Sequence, residues 1–257
     1  MMQKHKNLKI YWRVFATGLS FLLFGLGSLI IGLFFLLIIA PLPVSAGRKQ
    51  CWVRYIINKA CQAYIVAIKS LQVLSFSIEK NNIENHSGHL IIANHPTLLD
   101  AIFVLSEIDN VCCIVKANLW KNPLTCIVVT LAGYIPNTSS NLVELATDKL
   151  RSNENILIFP EGTRNTYDSQ LEFKRGAANI AVLTNCPILP IVIHCAPRTL
   201  QKYEKWYQVP ASTPHFSLRM LAVINIANCI DTSRPRTVQY RHLTHLLREL
   251  YRTNLSA

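Results

Sequence analysis

The chain has 257 residues, 51% of them hydrophobic and only 16% charged, and its 26 Lys and Arg against 14 Asp and Glu leave a formal net charge of +12. That balance favours an anionic partner: a phospholipid surface, a phosphorylated substrate, an acidic carrier protein or a nucleic acid. The basic residues are spread out, with no run interleaved with aromatics and no zinc-finger spacing, which excludes nucleic acid from the expected partners. Eight cysteines, at 51, 61, 112, 113, 126, 186, 195 and 229, form no Cys-x-x-Cys pair, and several sit in apolar runs. They are expected as reduced thiols in a cytosol-facing domain, with neither a disulfide framework nor a metal site.

In chain order, Lys4, Lys6, Lys9 and Arg13 precede a stretch from Val14 to Ala40 that carries no charge and ends at Pro41-Leu42-Pro43. About 20 apolar residues span a bilayer core, and a secretory signal has a shorter apolar run, so a retained membrane anchor is expected. Gly25, Gly27 and Gly32 leave room for a kink or a re-entrant shape. Basic residues flank both ends, so charge does not orient the anchor. Residues 48–75 alternate charged and apolar positions at helical spacing, with Trp52, Tyr55, Tyr64 and Ile68 among the apolar ones. That pattern fits a helix lying on a membrane interface and equally one packed on the domain. Residues 81–88 are a polar turn.

His89 to Ala93 is a short apolar run expected as a buried strand, and Ala101 to Leu105 continues as a helix. Between them stands Asn94-His95-Pro96-Thr97-Leu98-Leu99-Asp100. Five residues apart on one continuous helix, His95 and Asp100 would not meet. The residue before a proline is biased out of the helical region, so His95 is expected extended, with Pro96 in the first helical turn and Asp100 early in the helix, facing back to the imidazole. The helix N-terminus favours the ionised carboxylate, which can hold one ring proton and leave the other nitrogen as a base.

Further strands are expected at Val111–Val115, at Tyr134–Asn137, at Asn155–Phe159, at Pro187–Ile193 and from Phe216 to Ile226. Helices are expected from Lys116, over Asn141–Arg151 with Ser140 as N-cap, over Ala177–Leu183, and from Ser233 and Pro235 to Leu255. Alternating strands and helices argue an α/β fold with a mixed, largely parallel sheet flanked by helices, behind an N-terminal hydrophobic membrane-anchor helix. The expected divisions are an anchor over 1–47, an amphipathic interfacial segment over 48–80 and a catalytic domain over 81–257. The strand at 155–159 empties into Pro160-Glu161-Gly162-Thr163-Arg164-Asn165, whose glycine permits close approach and whose arginine offers a fork for phosphate or carboxylate. A structural ion pair between Glu161 and Arg164 is the plainer reading of the same residues.

Asn94-His95-x4-Asp100, followed some sixty residues later by Phe159-Pro160-Glu161-Gly162-Thr163-Arg164, resembles the glycerolipid acyltransferase family, best known for the 1-acyl-glycerol-3-phosphate O-acyltransferases. Pro187-Ile188-Leu189-Pro190 resembles that family's fourth, hydrophobic block. The resemblance implies His95 as general base, Asp100 as its orienting partner, and Glu161, Gly162, Thr163 and Arg164 as the acceptor head-group loop. The co-substrate would be an acyl-CoA or acyl-carrier protein and the acceptor a lyso-phospholipid, with no metal or other cofactor. Such an enzyme would work on the lipid bilayer, expected as a bacterial inner membrane with the catalytic domain facing the cytoplasm. Members acting on lysophosphatidic acid usually carry an arginine in the second block; here Gly133-Tyr134-Ile135-Pro136 runs into Asn137, and Lys116 and Lys121 are the nearest upstream cations. Lys116 therefore joins the substrate-binding set, and a different acceptor, such as a lyso amino-acid lipid, stays open. The competing readings are an acyl hydrolase, for which no Gly-x-Ser-x-Gly elbow exists, and a non-catalytic membrane lipid-binding protein.

Overall fold

The computed structural model describes residues 2–80, 87–164 and 171–256, with side chains between residues 9 and 255. Most of the turn expected at 81–88, and Asn165 at the end of the acceptor loop, lie outside the described residues. Seven strands form one sheet: β1 (Ser75–Glu79), β2 (Leu90–Ala93), β3 (Val111–Val115), β4 (Ile135–Pro136), β5 (Asn155–Ile158), β6 (Ile188–Ala196) and β7 (His215–Met220). Their order is β1-β7-β6-β2-β5-β3-β4, parallel throughout except for the antiparallel pair of β6 with β7. The α/β class and the mixed, largely parallel sheet are as the sequence indicated. β1 is an addition, supplied by residues between the amphipathic helix and the polar turn.

Strand side chains alternate between two helical layers. Ile91, Ala93, Cys113, Leu157, Ile191 and Ile193 pack with Ile65 and Ile68 of α2 (Ala46–Ser70) and with Phe103 and Val104 of α3 (Asp100–Glu107). Leu90, Ile92, Cys112, Ile156, Ile158 and Val192 pack on the other face, against α5 (Leu142–Arg151), α6 (Gly176–Thr184) and α7 (Arg236–Ser256). All eight cysteines are free thiols, four of them buried.

The neighbours β2 and β5 are where the chain changes direction across the sheet. From β2, α3 leads past β5 to β3; from β5, α6 leads past β2 to β6 on the other side. In open α/β sheets the crevice beyond the strand C-termini at such a switch point is where ligands bind.

The N-terminal helix α1 (Met2–Phe34) runs on through a π-helical turn, Phe35–Ile39, without breaking at Gly25, Gly27 or Gly32, so the glycines make no re-entrant turn. Residues 9–39 are long and apolar enough to cross a membrane. One face of the helix nevertheless lies on the domain, where Ala16, Thr17, Ser20, Phe35 and Ile39 are buried. Helix α2 packs on α3 and turns Arg54 inward, where its guanidinium pairs with Glu154 at 2.7 Å and also bonds the Ala132 carbonyl and Asn110. Its Trp52 and Tyr55 stay exposed.

Three local expectations are corrected. Pro96 lies outside α3, which begins only at Asp100, because Thr97 to Leu99 first form a turn. The N-cap of α5 is Asn141, since a turn from Ser139 to Leu142 delays the helix. β7 ends at Met220 rather than near Ile226: the next position faces Pro190, which accepts from Leu221 N–H but has no N–H to return, and pairing resumes only at Ile224 with Ile188.

Candidate active site

His95 leaves the end of β2 and Glu161 leaves the end of β5, so the two expected motifs meet at the switch point. The backbone N–H of His95 donates to Glu161 Oε1 at 3.0 Å. The imidazole lies on the Phe159 ring, with centroids 4.3 Å apart and planes 26° from parallel. Its Nδ1 donates to Asp100 Oδ2 at 2.8 Å, which assigns the lone pair to Nε2. With 21% of the His95 side chain exposed, and none of Asp100, the dyad presents a base to the crevice and hides its orienting carboxylate.

Thr97 is the residue that makes the five-residue spacing work. Its N–H donates to Asp100 Oδ2 at 2.7 Å and its hydroxyl to Oδ1 at 2.6 Å, while Leu99 N–H donates to the Thr97 hydroxyl oxygen at 3.2 Å. This is close to a capping box, and the spacing Thr97-x-x-Asp100 before an apolar run was its visible signal. Burial pushes the Asp100 carboxyl up, against the pull of His95 and Thr97.

Glu161 does not hold Arg164. Besides the His95 N–H, its carboxylate has no partner among the described residues: Oε2 is buried and unbonded, and burial raises the group from 4.5 to about 7. Arg164 instead donates from Nη1 to the carbonyls of Leu200 and Gln201, both at 3.1 Å. Gly162 has φ +71°, and a Cβ there would lie 2.8 Å from Lys174 Nζ, so the lysine side chain crosses directly over the glycine. Thr163 follows, partly exposed. Lys116 ends β3 on the same sheet edge, but β5 separates it from β2, which places it roughly 10 Å from the His95 strand by interstrand spacing. The structure thus groups His95, Asp100 and Glu161 to Arg164, adds Lys174 beside them, and sets Lys116 apart.

Two side chains bridge the paired strands β2 and β6: Tyr251, which the sequence did not single out, and Asn94, which opens the first motif. The Tyr251 hydroxyl accepts Ile191 N–H at 3.1 Å and donates to the Ile92 carbonyl. One rung further, the Asn94 side chain donates to the Ile193 carbonyl and accepts Ile193 N–H, both at 2.7 Å. Beyond Ala93, the last β2 residue paired with β6, the chain leading to His95 is tied to β6 through the Asn94 side chain.

Residues 76–194 match the family model described as Acyltransferase. Over those residues, just under half of its length, the chain is similar to the glycerolipid acyltransferase family. Among its relatives, a mouse protein named 1-acyl-sn-glycerol-3-phosphate acyltransferase alpha is 31% identical over 130 residues, 48% of this chain and 46% of that protein. A Helicobacter pylori 1-acyl-sn-glycerol-3-phosphate acyltransferase is 32% identical over 144 residues, 53% of this chain and 58% of its own length. The chain thus spans about half the length of the curated relatives it matches. The crystal structure of the 1-acyl-sn-glycerophosphate acyltransferase PlsC from Thermotoga maritima shares the fold, with a TM-score of 0.74 at 19% identity, covering 95% of this chain and 96% of that one.

Proposed function

We propose that the chain is a membrane-bound O-acyltransferase that moves a fatty acyl group from an acyl thioester to a hydroxyl of a lyso-phospholipid such as 1-acyl-glycerol-3-phosphate. The observation that carries this reading is the His95–Asp100 pair at the switch point, bonded through the His95 N–H to the loop that leads into Arg164. His95 Nε2 takes the proton of the acceptor hydroxyl as its oxygen attacks the thioester carbonyl. Collapse of the tetrahedral intermediate expels the thiolate, which recovers the proton from His95. Asp100 holds the ring and offsets the charge it carries between those steps. Thr163, Arg164 and Lys174 offer a hydroxyl and two cations to the acceptor head group, with Glu161 and Gly162 shaping the loop. Lys116 serves the outer part of the same edge. The donor, acyl-CoA or acyl-carrier protein, is an anionic thioester suited to a chain of net charge +12.

The identity of the acceptor has a second reading. Asn137 stands where the resemblance expects an arginine, and its side chain is used to accept the Ala117 N–H at 3.2 Å, pinning the turn after β3. A lyso-lipid without a phosphomonoester, such as a lyso amino-acid lipid, fits that arrangement. For localisation the proposal is a bacterial inner membrane with the catalytic domain on the cytoplasmic side, supported by the apolar helix and the free thiols.

The test supplies membranes carrying the wild type or His95→Ala with long-chain acyl-CoA or acyl-carrier protein and a panel of lyso-lipids. The wild type is expected to form product, and His95→Ala at least about 100-fold less, as removal of a general base requires. Equal product from both chains overturns the mechanism. Product only with a non-phosphate acceptor selects the second reading.

A further inference from the structure

The segment 200–210 is tied to both motifs yet carries an unusual surface. Leu200, at φ +53°, presents a carbonyl that accepts the Leu98 N–H at 3.2 Å and Arg164 Nη1 at 3.1 Å. The chain then projects Lys202-Tyr203-Glu204-Lys205-Trp206-Tyr207. Tyr203 is 84% exposed, and Trp206 and Tyr207 are nearly half exposed and packed edge to face. Lys202 lies over the Tyr203 ring at 4.9 Å and Lys205 over Tyr207 at 5.7 Å. On its other side the segment meets α1: a Cβ on Gly18 would be 3.0 Å from the Trp206 ring, and Arg13 donates to the Pro210 carbonyl at 2.9 Å. On α1, Tyr11, Phe15, Gly18, Leu22 and Leu29 recur at helical spacing on one face, and the four large ones are exposed. Trp206 therefore extends the outward apolar stripe of α1.

We propose that residues 202–207 are a second lipid-contacting surface, continuous with α1, that engages the interface of an anionic bilayer and holds the Arg164 loop against it. Tyr and Trp combine an apolar body with a polar edge, which suits the head-group level, and the lysine stems lie over the rings while their ammonium groups reach phosphates. The bilayer is favoured over an acidic protein because the aromatics join an existing apolar stripe, whereas docking an acidic partner calls only for the cations. The inference rests on α1 lying in the membrane, and it places the acceptor loop one hydrogen bond from the lipid surface that holds the acceptor.

The test reconstitutes the full chain with Trp206 as its single tryptophan (Trp12→Phe, Trp52→Phe, Trp120→Phe) into phosphatidylcholine–phosphatidylglycerol vesicles with brominated acyl chains. Trp206 emission is expected to fall at least twofold relative to unbrominated vesicles; unchanged emission overturns the proposal. In the unmodified chain, trypsin cleavage after Lys202 and Lys205 is expected to slow in anionic relative to purely zwitterionic vesicles, and equal rates count against it even where the triple variant folds poorly. In acyl transfer, Lys202→Glu with Lys205→Glu is expected to raise KM for vesicle-borne acceptor by about fivefold per lysine, while kcat on a short-chain monomeric acceptor is kept. A KM change confined to acyl-carrier protein, without quenching, overturns the bilayer assignment in favour of that protein. Quenching without any acyl transfer leaves this surface standing and removes the proposed reaction instead.

Discussion

Glu161 is an unusual neighbour for the proposed base, His95: a buried carboxyl that spends one oxygen on the His95 backbone and leaves the other unbonded. Burial raises it to about 7 from 4.5. Between those values the folded chain keeps a proton that the unfolded chain has lost, so stability contributed by this group falls as pH rises through that window. Above about pH 7 the penalty is complete; below about pH 4.5 it is absent. Glu161→Gln keeps an oxygen for the His95 N–H and cannot ionise. It is expected to stabilise the chain at pH 8 by on the order of 3 kcal/mol, and to change little at pH 4. Thermal midpoints of variant and wild type in detergent at both pH values check this, and a difference that does not depend on pH contradicts it.

At the scale of elements, β2 and α3 were legible because an apolar run, a proline and a second apolar run mark strand, break and helix locally. What lay beyond reach was non-local. The start of α3 shifted because Thr97 closes a turn on Asp100, and the side-chain bridge between β2 and β6 is made by Tyr251, which is distant in sequence from both of its partners. The contact of His95 with Asp100 was readable from their spacing around Pro96, whereas Lys174 came beside the candidate site only by folding across Gly162. The Tyr251 bridge makes a prediction of its own. Tyr251→Phe keeps the ring against Phe173 but strands the Ile191 N–H and the Ile92 carbonyl in the core. A loss of about 2 kcal/mol is expected in denaturant unfolding, with faster amide exchange at Ile191. An unchanged midpoint would mean that the hydroxyl is dispensable to the pairing of β2 with β6.

For the molecule as a whole, the apolar N-terminal helix was read from its length alone, and length does not reveal that one of its faces belongs to the domain. From Arg13, bonded at Pro210, to Ile39, packed with Val53, Ile57 and Ala132, it covers roughly 39 Å at 1.5 Å per residue. A helix in contact with the domain over that distance leaves only its remaining face open, which, on the proposed membrane reading, favours α1 lying along the membrane surface over a perpendicular crossing. Phe34 and Phe35 separate the two roles, since Phe35 is fully buried and Phe34 is 44% exposed. Phe35→Ala opens a cavity in the cluster with Val53 and Ala132 and is expected to cost about 3–5 kcal/mol. Phe34→Ala trims an exposed side chain and should leave stability in detergent within about 0.5 kcal/mol, while on the proposed membrane reading it weakens retention on vesicles. Denaturant midpoints in detergent and vesicle flotation of the two variants separate the cases. Equal, small stability losses would return α1 to the status of a simple tether, independent of the fold it leads into.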